Sequence, residues 1–314
     1  MQTGLLLKVV AAVSLILQGS HATYLDPTTV KNRCKQLRDQ QERELKPWKF
    51  MVKYQPCSHP LCHEENANPD IVEGDILCDD TPSHHRVLGT DGLVWDPAIK
   101  YIIESTFSST ERAFIENALT QLETKVNNGN PNCKFSLTLE KDDKEGIKNY
   151  SQTVRFVKGS GYFTAVGKRA TYSEPHTITL GSVTHATNGS VLHELMHAMG
   201  FWHEHSRPDR NSTIEVHFDH VQKYRATNFI KLKPSEVKPE YSSIQYDPCS
   251  LMHYGPYAFT KDKNKKTITL WDSKSSMSCK MGQRNSATKQ DILRIQKLFG
   301  CVQDTDKSDK KSGS

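Results

Sequence analysis

One run of residues combines side chains that can do chemistry at a spacing that makes it possible: His193-Glu194-Leu195-Met196-His197-Ala198-Met199-Gly200-Phe201-Trp202-His203. On a helix, His193 and His197 stand four apart and project from one face, a turn from each other. Val191, Leu192, Leu195, Met196 and Met199 supply apolar positions that would bury such a helix over about 191–199, with Ser190 as its N-cap. Gly200 falls where the helix must stop, and glycine enters the left-handed conformation there without steric cost. The sharp exit returns His203 to the same point in space. Three imidazoles then hold one Zn²⁺ at about 2.0–2.1 Å and leave a coordination position for water. Glu194 is placed to reach that water as general base and proton shuttle. A bare His-Glu-x-x-His arises by chance, and a lone helical histidine is more often a core residue than a ligand. Five residues in fixed register make chance the weaker reading.

The rest of the chain must position these residues. Its 314 residues carry 41 Lys and Arg against 36 Asp and Glu, with 36% hydrophobic and 25% charged residues. That is ordinary for a globular protein, and the length suggests about two domains at roughly 150 residues each. The basic excess is diffuse, which argues against a nucleic-acid partner. No apolar run approaches the roughly 18 residues of a membrane span. Lys8 precedes the run Val9–Leu17, and Ser20-His21-Ala22 puts small residues at a cleavage site after Ala22. Residues 1–22 therefore read as a secretory signal peptide and the product as secreted and extracellular. In that compartment the eight cysteines become disulfide candidates. The sequons at Asn149, Asn188 and Asn211 become glycosylation candidates.

Residues 23–86 are polar and irregular and hold Cys34, Cys57, Cys62 and Cys78. From Trp95 onward strands are predicted at 100–103, 134–139, 154–157, 162–166 and 176–180. Helices are predicted from Ser109 as cap to about Val126, over 191–199, and over about 287–298. Between the last two helices lies a long irregular stretch. Residues 302–314 read as a flexible tail. The order is α+β.

The zinc motif resembles the metzincins, and within them the astacin family of zinc endopeptidases. The match extends through His203-Glu204-His205-Ser206-Arg207-Pro208-Asp209-Arg210, and Ser250-Leu251-Met252-His253-Tyr254 looks like the family's Met-turn. The resemblance covers most of residues 87–301. It implies a two-lobed catalytic domain, with a twisted mixed sheet and an active-site helix above the cleft, then an irregular C-terminal lobe ending in a helix. It implies that Met252 floors the three histidines, that Tyr254 is a displaceable fifth ligand that stabilises the oxyanion, and that Glu204 supports the site from behind and contacts the freed N-terminus. A bland reading of Glu204 is a surface ion pair with Arg207. Gly161–Gly167 takes the place of the edge strand that pairs with substrate.

The resemblance also implies a Cys133–Cys301 disulfide. The family's second pair is absent, with Tyr162 and His185 at its expected positions, and Cys249–Cys279 is the pair that remains. Val72-Glu73-Gly74-Asp75-Ile76 resembles the prosegment motif F-x-G-D, which implies that Asp75 occupies the place of the catalytic water; a Cys78 thiolate is the rival switch. Cleavage near Arg86 by an activating protease would then release the enzyme. The reading is a secreted, latent zinc endopeptidase with one Zn²⁺ per catalytic domain, acting on extended protein or peptide substrates. The alternatives are a catalytically silent, zinc-stabilised binding protein and a disulfide scaffold with incidental histidines. The physiological substrate and the oligomeric state are not written in the sequence.

Overall fold

The computed structural model describes residues 32–37, 39, 71–77, 95–141, 149–182, 187–223, 225–234, 237, 243–272 and 279–302. The leader, Cys57, Cys62, Cys78, Arg86, His185 and the tail from 303 lie outside the described residues. Among the described residues no helix is long and apolar enough to cross a membrane.

In chain order the elements are β1 (Ile71–Val72), β2 (Ile76–Leu77), β3 (Ala98–Ile103), α1 (Ser109–Asn127), β4 (Ser136–Leu139), β5 (Thr153–Lys158), β6 (Phe163–Thr164), β7 (His176–Leu180), α2 (Asn188–Ala198), β8 (Ile214–Val216), β9 (Ile268–Leu270) and α3 (Lys289–Leu298). Residues 32–37 are also helical. The large sheet runs β1-β2-β6-β7-β5-β3-β4. β3 pairs in parallel with both β4 and β5, and β5 pairs in parallel with β7. β6 turns antiparallel to β7, so the sheet is mixed. This is an α+β arrangement of the metzincin kind.

α1 covers one face of the sheet. Its buried Ile115, Ala118, Leu119, Leu122 and Val126 recur every three or four residues, the stripe that a core-facing helix needs. They join Ile99, Val154, Phe156 and Ile178 of the strands and Leu192, Leu195 and Met196 of α2 in one core. Each large apolar side chain buried there contributes about 1.5–3 kcal/mol. The cap of α1 is Ser108, one residue before the predicted Ser109: Ser108 accepts from the Glu111 N–H while the Glu111 carboxylate takes the Ser108 N–H. That reciprocal box requires the Ser-x-x-Glu spacing, which Ser109 does not have.

The stretch between α2 and α3 is not wholly irregular. β8 and β9 pair antiparallel, Ile214 opposite Leu270. Three-residue strands so far apart in sequence carry too little periodicity to be read in advance. Cys133–Cys301 ties the loop after α1 to the end of α3, and Cys249–Cys279 ties the segment before Met252 to the loop before α3, with sequence separations of 168 and 30. Cys34 is disulfide-bonded as well.

In the chain-entropy account the longer loop stabilises by about 5 kcal/mol and the shorter by about 3.5 kcal/mol. Replacing both Cys133 and Cys301 by Ser should therefore lower the calorimetric melting temperature more than replacing both Cys249 and Cys279. The opposite order would show that strain or residual structure, rather than loop length, decides.

Candidate active site

α2 begins three residues earlier than Ser190 predicts, with Thr187 at the N-cap position. The Thr187 hydroxyl bonds the Arg284 carbonyl and makes no cap bond to a backbone N–H of its own helix. Gly189 lies against the Arg284 backbone, where a Cβ would collide with it. Tertiary contact, not a local cap, sets where this helix starts. It ends where expected: Gly200 has φ +107, and the Phe201 N–H turns back to the Met196 carbonyl at 3.0 Å.

That turn brings the three histidines together. The Nδ1–H of His193 donates to the Leu251 carbonyl at 2.8 Å, and that of His197 to the Phe201 carbonyl at 2.8 Å. His203 uses Nδ1 toward the Glu73 carboxylate at 3.0 Å. These acceptors fix the tautomer and leave each Nε2 with its lone pair facing inward. The Nε2 atoms of His193 and His197 stand 3.1 Å apart. Ligands about 2.05 Å from a tetrahedral ion would be about 3.3 Å apart. Two lone pairs facing each other at that distance repel unless a cation lies between them, so the donor set fits zinc.

The fourth group is Asp75. Its Oδ2 lies 3.0 Å from His193 Nε2, and its Oδ1 3.1 Å from His203 Nε2. Burial works to raise the Asp75 pKa, but the three histidines around it, His203 foremost, hold it well below the usual carboxylate range. Glu194 is buried, and among the described residues its Oε2 has no hydrogen-bond partner. Burial and the nearby Asp75 charge push the Glu194 pKa well above the ordinary value.

The floor of the site is held from behind. The Ser250 hydroxyl and the Leu251 N–H both bond the Asp291 carboxylate, at 2.6 and 2.9 Å, and Asp291 also closes the capping box of α3. Met252 is buried, and its carbonyl accepts the Glu204 N–H at 2.7 Å. Glu204 is no surface residue: its carboxylate receives Arg294 at 2.6 Å, the Asp247 N–H at 2.8 Å and Arg207 at 3.4 Å. His253 accepts from the Tyr246 hydroxyl at 2.7 Å and donates to the Tyr254 carbonyl at 2.7 Å. The Tyr254 ring stacks on His205 with centroids 3.7 Å apart, and its hydroxyl donates to the Glu73 carbonyl.

Several residues of this site escape a sequence reading. Glu73 is fully buried, and its carboxylate takes Arg33 at 3.4 Å and the Ser206 hydroxyl at 3.2 Å besides His203. Arg33 also donates to the Ile230 carbonyl at 2.7 Å and lies over the Trp202 ring. Glu73 and Gly74 both have positive φ, 51° and 85°, and a Cβ on Gly74 would meet the Phe259 ring at 2.9 Å. β2 then pairs in parallel with β6, and the Thr164 N–H donates to the Asp75 carbonyl at 3.1 Å. Only the Gly-Asp dipeptide hints at this in advance. Where the resemblance expects a cysteine, Tyr162 donates its hydroxyl to the Ser182 carbonyl at 2.9 Å and thereby ties the end of β6 to the segment after β7. Asn149 and Asn211 are exposed, whereas Asn188 is partly buried and bonds Gln121 at 3.4 Å.

Three converging imidazoles, a buried glutamate beside them and a strand edge leading into the cleft define a metallopeptidase-type centre. The chain matches the astacin family, peptidase family M12A, over residues 90–300. It is 33% identical over 214 residues to protein SpAN of Strongylocentrotus purpuratus, covering 67% of this chain and 32% of that one. To the zinc metalloproteinase nas-4 of Caenorhabditis elegans it is 32% identical over 238 residues, 73% of this chain and 69% of the other. Among solved structures it is similar to high choriolytic enzyme 1, a hatching enzyme zinc-protease of the medaka Oryzias latipes, with TM-score 0.52, 28% identity and coverage of 68% of this chain and 93% of that one. The chain belongs to the astacin family of zinc metalloendopeptidases. It spans only 32% of SpAN and 50% of the mouse astacin-like metalloendopeptidase.

Two outcomes are expected. Glu204→Ala leaves Arg207 and Arg294 facing each other without their shared carboxylate and should cost about 3–5 kcal/mol in urea unfolding; a cost below about 1 kcal/mol would contradict the buried network. Burial lowers the His253 pKa from 6.5 to about 4. The unfolded chain therefore takes up this proton first as pH falls, and the stability that neutral His253 contributes above pH 6.5 is lost on the way down to about 4. The acid slope of the melting temperature between those values should shrink in a His253→Gln variant.

Proposed function

We propose that this chain is a latent, secreted endopeptidase with one zinc ion, cutting peptide bonds of extended protein substrates. Residues 1–22 are its signal peptide, 23–86 its inhibitory prosegment, 87–301 its catalytic domain and 302–314 a flexible tail. One observation carries the reading: residues 73–77 fill both halves of the site at once. The Asp75 carboxylate stands among the imidazoles, and β2 takes the edge of β6.

His193, His197 and His203 would hold the zinc ion, whose bound presence polarises the scissile carbonyl and lowers the pKa of water toward neutrality. Once the prosegment leaves, the Thr164 N–H loses the Asp75 carbonyl and can pair with the main chain of a substrate laid along β6. Glu194 takes a proton as water adds to the scissile carbonyl carbon and delivers it to the amide nitrogen as the C–N bond breaks, giving a carboxylate and an amine. Tyr254, freed from the Glu73 carbonyl, donates its hydroxyl to the oxyanion. Met252 sits in the loop that holds His193 through the neighbouring Leu251 carbonyl, and Glu204 fixes that loop to α3. Asn149 and Asn211 are the exposed glycan acceptors; a glycan on Asn188 would have to displace its bond to Gln121.

Latency in this reading rests on Arg33 and Glu73 as well as Asp75, since Glu73 is fastened to Arg33 on one side and to His203 and Ser206 on the other. An activating protease cutting near Arg86 would release the whole segment.

The test is casein cleavage before and after processing at residues 84–88. The intact protein should be inactive and the processed one active; chelation or Glu194→Ala should abolish the activity, and Tyr254→Phe should lower kcat roughly 100-fold with little change in KM. Asp75→Ala and Arg33→Ala should each hasten self-processing. If Asp75→Ala stayed as latent as wild type while Cys78→Ser became active, a thiolate switch would replace this one. Full activity in the intact protein would remove latency altogether.

A further inference from the structure

Away from the catalytic centre, the described residues contain one other group of side chains that could share a metal ion: His217, Asp219 and His220. No step of the peptidase reading uses them. His217 follows β8 directly, and residues 218–220 form a single 3₁₀ turn. The backbone around them is braced, with the His217 N–H on the Thr267 carbonyl at 2.9 Å and the Lys261 N–H on the His220 carbonyl at 2.9 Å.

Within that turn one ring nitrogen of each histidine and one carboxylate oxygen of Asp219 all lie within 4.8 Å of one another. The rings are 5.3 Å apart at 34° to each other. The His220 Nδ1–H donates to the Lys266 carbonyl at 2.7 Å, which leaves its Nε2 with the lone pair, 3.3 Å from Asp219 Oδ2. A ring held through one nitrogen by a carbonyl, with the other nitrogen free to coordinate, is the usual orientation of a metal-ligating histidine. His217 Nε2 lies 2.8 Å from the Thr269 hydroxyl and 4.0 Å from Glu215 Oε2, which puts a second carboxylate at the rim. Both imidazoles are only about a quarter exposed, while the Asp219 carboxylate is 78% exposed and could swing inward at little cost.

We propose that His217, Asp219 and His220 form a second metal site for a divalent transition ion of the zinc, nickel or copper class, with Glu215 or water completing the shell. Two imidazoles and a carboxylate make a nitrogen-rich, borderline donor set, which suits those ions and not calcium or magnesium, whose sites are built from oxygen. The competing view is that the two histidines only brace the turn through Lys266 and Thr269. Bracing explains His220 Nδ1 and His217 Nε2, and an ion pair would explain Asp219 beside His220, but neither requires both rings and the carboxylate to converge within 4.8 Å of one another. An ion here would pin the turn carrying Phe218, whose ring meets Phe229, which in turn meets Tyr254. The site does not depend on the catalytic reading, because it shares no residue with it.

The experiment uses the full chain, stripped by chelator and titrated with Co²⁺ and then Zn²⁺ in equilibrium dialysis. Wild type should take up two equivalents, the second with Kd below about 100 µM and accompanied by a rise of several degrees in melting temperature. A His217→Gln/His220→Gln variant keeps an amide able to hydrogen-bond Lys266 and Thr269, so it should fold, take up one equivalent and lose the second rise. Asp219→Asn, on an exposed side chain, should weaken the second equivalent at least tenfold. Uptake of two equivalents by the double Gln variant, or a single equivalent in wild type that the double Gln variant keeps, would overturn the proposal. A single equivalent in wild type that the double Gln variant loses would instead count against the three-histidine centre and leave this site standing.

Discussion

The catalytic site answers to one requirement: three imidazoles must be held with their Nε2 atoms pointing at the same point, where their lone pairs would repel one another. Each ring is held from its far nitrogen. Leu251 supplies a carbonyl for His193, Phe201 supplies one for His197, and Glu73 supplies a carboxylate for His203. None of these acceptors belongs to α2 itself. The Gly200 turn delivers the second, the loop around Met252 delivers the first, and the turn at Glu73 delivers the third. The site is therefore a junction of separate parts of the chain, and a zinc ion is what makes their convergence favourable.

The two carboxylates of the 73–75 loop do different work on that junction. Asp75 meets the inward face of the histidines, where burial opposes its charge and the imidazoles restore it. Glu73 meets the outer nitrogen of His203 and is neutralised by Arg33. Glu194 lies between these influences with an oxygen that no donor among the described residues satisfies, its proton affinity raised by burial and by Asp75. Asp75 thus touches the three histidines directly and Glu194 through its charge.

How much of this could be read from the sequence follows from how local each determinant is. The helix carrying His193 and His197, its stop at Gly200 and the return of His203 are all encoded within eleven residues, and the structure places them together. The Ser-x-x-Glu start of α1 is equally local, and only its exact residue was misplaced. The start of α2 is not local, because Gly189 and Thr187 answer to Arg284, a residue far away in sequence. β8 and β9 are not legible in the sequence, because three residues carry no measurable period. Arg33 and Glu73 look like ordinary surface charges in the sequence, since nothing local announces that both will be buried against Trp202 and His203. The hydrogen bond from Tyr162 to Ser182 joins the end of β6 to the segment after β7, with one of the two expected cysteine positions at one end of it.

Asp291 carries a consequence for the order in which the molecule can be completed. It caps α3, and it also holds Ser250 and Leu251, through which His193 is oriented. Arg294, one turn further on, reaches Glu204 beside the third histidine. Cys301 then closes on Cys133. A ribosome that has made the whole zinc motif has still not made the residues that aim it. During synthesis the histidines emerge roughly a hundred residues ahead of their own supports, and the centre can be finished only when nearly the last of the catalytic domain is out. Asp75, which stands among the histidines, is by contrast made well before them.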